Sequence, residues 1–130
     1  VLTTMAKALS FTVSGVDTVR KYLKLKNFNI NKAVAIAMNK AGLYVEGEVK
    51  ESIAGRRAEV RRWDTGRLAG SVHSSSSEDE AIVYSNVEYA PFIEYGTSTI
   101  PKGKHFRNSV QRSKGKVREL IKAEIKKSLS

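Results

Sequence analysis

KAVAIAMNKAGLYVEGEVKESIA, residues 32–54, is the stretch whose reading decides the fold. Val34, Met38, Ala41, Val45, Val49 and Ile53 recur at spacings of three and four, which puts them on one face of an amphipathic helix. Asn29 or Asn31 can cap its start, and Gly55 is a natural terminator. Met38 and Tyr44 are expected to pack in the core. A helix this long needs a partner surface, and the residues on either side supply one. Upstream, Leu9, Phe11 and Val13 alternate with polar residues, as a half-buried strand does. Asp17 is a plausible cap for a short helix ending near Asn27, with Arg20, Lys21, Lys24 and Lys26 on its wet face.

Downstream, residues 55–64 (GRRAEVRRWD) hold four arginines and no period, so they are expected to form an exposed loop long enough to be mobile. Trp63, the sole Trp, either packs on the core or anchors a partner. Asp64 or Thr65 then caps a short turn in which Leu68 and Val72 face inward. Segments 72–76 and 81–85 flank a polar turn and predict a β-hairpin, with Ile82 and Tyr84 on one face and Val83 on the other. Pro91 suits the start of another short helix and Gly96 its end. The last helix begins near His105 and presents Phe106, Val110, Val117, Leu120, Ile121, Ile125 and Leu129 on one side, with an interruption at Gly115. The expected fold class is α+β: a small antiparallel sheet, from the N-terminal strand and the hairpin, packed on the long helix and the C-terminal helix.

The chain has 130 residues, 41% of them hydrophobic, which suits one domain spanning residues 1–130. It has no Cys, so a disulfide framework and a thiolate metal site are excluded, as expected of a protein made in a reducing cytoplasm. No apolar run has the length of a membrane span, and residues 1–10 lack a signal-peptide pattern, so a soluble, unexported protein is expected. The first residue is Val rather than Met, consistent with a start after the true N-terminus.

The net charge of +10 is unevenly placed. Residues 63–100 hold one basic and six acidic residues, whereas residues 101–130 hold ten basic and two acidic ones. Such a distribution suits either nucleic-acid contact or subunits that set basic against acidic surface. The two histidines, His73 and His105, lie on different predicted elements, and no HExxH, CxxC, GxSxG or P-loop motif occurs. Neither an enzymatic activity nor a cofactor is expected. A non-sequence-specific nucleic-acid-binding protein stays open as the alternative. It would use the loop Arg56, Arg57, Arg61, Arg62 with Trp63 and the basic C-terminal helix, because phosphate contact needs cations and an aromatic can stack on a base.

Two segments carry a resemblance. DTGRLAGSV at 64–72 and VEYAPFIEYGTS at 87–98, flanked by these helices, together resemble the head–tail joining (tail-completion, or neck) family of long-tailed bacteriophages. The order of elements agrees across nearly the whole chain. The resemblance implies a virion structural protein at the neck, forming a ring, sixfold, that joins the head connector to the tail tube. Double-stranded DNA would pass through its channel. The implied partners are further copies of the chain, a head-side connector or stopper protein, a tail terminator or tail tube protein, and that DNA. Loops 55–64 and 97–104 become candidates for contact with adjacent rings, through Arg56, Arg57, Arg61, Arg62, Trp63, Thr97, Lys102 and Lys104. Thr65, Arg67, Glu94 and Tyr95 complete the candidate interface, with Arg67 expected to reach Glu94 or Glu88. Tyr89, Phe92 and Tyr95 are expected to supply large buried area.

Overall fold

The computed structural model describes residues 8–13, 31–62, 66–78 and 80–129. The expected helix at 17–27, Trp63 and the Asp64/Thr65 cap lie outside them. In order, the elements are β1 (Leu9–Val13), α1 (Asn31–Ile53), α2 (Arg67–Gly70), β2 (His73–Ser76), β3 (Ala81–Ser85), α3 (Ala90–Tyr95), α4 (His105–Arg112) and α5 (Lys114–Leu129). The fold is α+β. Its three-stranded antiparallel sheet has the order β1-β3-β2, with Leu9 opposite Ser85, Val13 opposite Ala81 and His73 opposite Tyr84.

α1 is the wall on which the other elements lean. Val34, Met38, Ala41, Val45, Val49 and Ile53 are all fully buried, as the spacing predicts. Each of the larger of these, the Val, Met and Ile side chains, stabilises the fold by roughly 1.5–3 kcal/mol. The sheet covers one side of this stripe with Leu9, Val13, Ala81 and Val83, and α4 and α5 cover another with Phe106, Val117, Ile121 and Ile125. Strand alternation follows suit: Ala81, Val83 and Ser85 point inward, while Ile82 and Tyr84 are half-buried on the outer face. Leu68 and Val72 face inward as expected, although Gly66, with φ +80°, occupies the cap position of α2.

Three expectations are corrected. Tyr44 stays 37% exposed, because its place on α1 falls beside the buried stripe rather than on it, and Lys116 lies over its ring at 6.0 Å. The C-terminal helix breaks at Ser113, not Gly115. The break is slight, since Ser113 N–H still donates to Ser109 and Val117 N–H to Ser113. Leu129, on the last turn, is exposed beyond the reach of the core.

Two glycines on α1 predict opposite outcomes. A Cβ at Gly42 would meet Ser74 Cβ at 3.3 Å and Ala81 Cβ at 3.4 Å, whereas one at Gly47 meets nothing within 4 Å. Gly42→Val should therefore lose about 1–3 kcal/mol by prising the helix off the sheet. Gly47→Ala should gain roughly 0.5–1 kcal/mol. Urea midpoints of the two variants check the pair.

Candidate functional site

The ordering of the arginine loop starts at the end of α1. Ser52 is fully buried on its last turn, and its hydroxyl sits 2.6 Å from Glu59 Oε1 and 2.8 Å from His105 Nδ1. Glu59 turns inward from the loop and also accepts from Asn108 at 3.0 Å and from both terminal nitrogens of Arg112 at 2.8 and 3.0 Å. Burial pushes the Glu59 carboxyl up, but the bonds from Arg112, Ser52 and Asn108 and the Arg112 charge outweigh it and hold the pKa at about 2. His105 is 1% exposed, and burial lowers its pKa to about 4 against the pull of the Glu59 charge. The loop is exposed at its surface, yet this buried latch pins it.

Its arginines are largely engaged. Arg56 pairs with Glu51 at 2.9 Å, and Arg57 grips Glu48 through Nε and Nη2 at 3.0 and 2.8 Å. Arg62 donates its backbone N–H to Ile53 and its guanidinium to the Pro101 carbonyl at 3.2 Å, so loops 55–64 and 97–104 are joined to each other. Arg61 lies with its stem over Gly55, which has φ +85°.

The second motif folds around Glu94. Its carboxylate is 3% exposed and accepts the N–H of Phe106 at 2.9 Å and of Arg107 at 3.0 Å, capping the start of α4. Burial pushes this carboxyl up despite those donors. Arg67 reaches Glu88 at 3.3 Å, not Glu94, and its guanidinium lies 5.3 Å from the Tyr89 ring centre. Thr97 closes a tight turn, its hydroxyl accepting from the N–H of Thr99 and Ile100. Lys102 is exposed, and Lys104 takes a left-handed φ of +56° just before α4.

The aromatic residues of α3 depart from expectation. Phe92 is 56% exposed and Tyr95 57%, because α3 has only six residues and spends its inward positions on Ala90 and Glu94. Tyr95 stacks on Phe11 at 6.5 Å, and Phe11 in turn on Phe106 at 5.7 Å, so the patch is braced from behind. Phe92 and Tyr95, three positions apart, give this end of the molecule an exposed apolar surface beside the joined loops. Aromatic side chains with a rigid backing are what protein interfaces favour. The sequence names Tyr95 for the interface but also predicts Tyr89, Phe92 and Tyr95 to be buried, and of the three only Tyr89 is even half-buried. The shortness of the Pro91–Gly96 interval was the available signal against burying both Phe92 and Tyr95.

Among the described residues, no group of three His, Asp or Glu is placed to hold a metal ion, and no helix is long and apolar enough to cross a membrane.

The latch predicts acid sensitivity. A base whose folded pKa lies near 4 instead of 6.5 contributes stability above 6.5 that is lost as pH falls toward 4. An acid held near 2 instead of 4.5 loses its contribution between 4.5 and 2. Urea midpoints should therefore fall from pH 6.5 downward, by on the order of 2–3 kcal/mol for the His105 part. His105→Gln should flatten the 6.5-to-4 segment and keep the lower one. Glu59→Ala, which strands the Ser52 and Arg112 donors, should cost about 1–3 kcal/mol and raise proteolytic cleavage within the loop. A pH-independent midpoint across this range contradicts the assignment.

A family model described as "Bacteriophage HK97-gp10, putative tail-component" matches residues 17–96, a segment that holds α1, the hairpin, α3 and the first of the two motifs in full. No curated protein and no solved structure matches the chain. With well over half its length matched, the chain belongs to the HK97-gp10-like family of bacteriophage tail components.

Proposed function

We propose that this tail component acts at the phage neck, as one subunit of a ring that joins the head connector to the tail tube around the DNA channel. The ring is sixfold in this reading, and residues 1–130 act as one head–tail joining domain. The observation that carries the proposal is the family match over residues 17–96, within which the head–tail joining motif DTGRLAGSV stands entire.

The geometry supports it in a specific way. A ring closes through heterologous contacts, in which one patch on each subunit meets a different patch on the next. Phe92 and Tyr95 supply an exposed aromatic patch on a short, well-braced helix. The two joined loops lie beside it, and their Arg61, Thr97 and Lys102 are exposed on the surface facing outward. Contacts of this kind need geometry rather than chemistry, so the role is structural and calls for no cofactor. Arg67, with its Glu88 and Tyr89 contacts, stiffens the approach to the same helix.

Complementation tests the reading. Heads and tails from particles lacking this protein are mixed with the purified chain, and joined particles are counted by electron microscopy. The chain should restore joining. Phe92→Ser with Tyr95→Ser should abolish it while leaving the thermal midpoint nearly unchanged, because both rings are already exposed. Full joining without the chain overturns the proposal.

A further inference from the structure

We propose that one ridge of α5, formed by Lys114, Arg118, Lys122 and Lys126, is a contact surface for the phosphate backbone of duplex DNA. The four recur every fourth residue, so they line a single i, i+4 ridge with a step of roughly 6 Å and a length of about 18 Å. All four are exposed, and none makes an ion pair among the described residues. The contrast with the arginine loop is direct: Arg56 and Arg57 are held by Glu51 and Glu48. The site that arginine density suggests is largely neutralised, and among the described residues the longest run of exposed cations outside ion pairs stands on α5.

A partner copy of this chain offers the ridge little spare negative charge among the described residues. Glu46, Glu48, Glu51, Glu59, Glu88 and Glu124 each already pair with a cation of their own chain. Glu80 at the hairpin tip and Glu119 on α5 are exposed carboxylates outside these ion pairs. The composition of the ridge also separates a nucleic acid from a protein partner. Protein interfaces are depleted in Lys and centre on apolar or aromatic anchors, whereas nucleic-acid interfaces are polar and strongly basic. The ridge has three lysines, an arginine and no exposed aromatic, while the aromatic pair sits on α3. Over 18 Å of axis a duplex presents roughly ten phosphates, enough to face all four cations. Such contacts read no sequence, which suits DNA that must pass rather than be held at one site. Glu119, exposed on the same helix and unpaired among the described residues, tempers the ridge.

The proposal deepens the neck reading by naming the surface that meets DNA, and rests on it only for the source of the duplex. The test uses the full chain and a labelled random-sequence duplex, with binding followed by fluorescence anisotropy from about 50 to about 200 mM salt. Replacing the four ridge residues with Gln should weaken binding at least about tenfold at the middle of that range. It should also make the slope of log K on log salt shallower by about 3. Glu119→Gln should tighten binding, an arm that does not depend on the fourfold variant's behaviour. Arg56→Gln with Arg57→Gln and Arg61→Gln should have the smaller effect. Equal losses for the loop and ridge variants overturn the proposal, since binding then follows net charge alone. So does equally tight binding of polyglutamate, which points to an acidic protein partner. Heads and tails that still join with the ridge neutralised leave the neck reading intact, so the two failures are distinguishable.

Discussion

The burial of one stripe of α1 is the constraint on which the rest of the molecule depends. Val34, Met38, Ala41, Val45, Val49 and Ile53 are wholly removed from water, and α1 is the longest of the described elements. The sheet and the α4–α5 arm each satisfy part of that stripe, so their positions follow from it. Gly42 sets the approach distance on the sheet side, where a methyl group would already touch Ser74 and Ala81. At its C-terminal end the same helix delivers Ser52 into the core, and the polar latch of Glu59, His105 and Arg112 assembles around that hydroxyl. A buried network of this kind loosens when a member is lost, and in this one His105 Nε2 is buried with no hydrogen-bond partner among the described residues. Here the network ties the described part of the arginine loop, residues 55–62, to the end of α1 and to α4.

Functionally, that order separates surfaces by chemistry. One end of the molecule carries the braced aromatic pair and the joined loops, a surface of the type that proteins bind. The α5 flank carries unpaired cations, a surface of the type that phosphates bind. Glu94 connects the two regions: its carboxylate leaves α3 and caps α4, so the aromatic helix and the start of the C-terminal arm move as one. On the proposed reading, in which the chain meets both protein neighbours and DNA, the two surfaces must be held in a fixed relation.

Much of this was legible in the sequence because periodicity reports burial directly. The spacing of Val34 through Ile53 located α1 to within a residue at each end, and the alternation in 81–85 gave both faces of β3. Size and composition were less informative. Phe92 and Tyr95 read as core because they are large, but the six-residue α3 has no second inward turn to hold them. The arginine run read as a free basic patch because a sequence shows the density of charge and not its partners. Glu48 and Glu51, which engage Arg57 and Arg56, stand in the preceding helix, and Glu59 within the loop turns away to Arg112, 53 positions on. The break at Ser113 was read at Gly115 because glycine is the stronger interrupter by propensity. Gly115 instead faces open space inside α5, where helical hydrogen bonding tolerates it.

Cryo-electron microscopy of intact particles bearing a gold-labelled or domain-tagged copy of this chain tests the central claim most directly. The account predicts label confined to the junction of head and tail, arranged as a closed ring around the channel. Label along the tail tube or at its distal tip would contradict it.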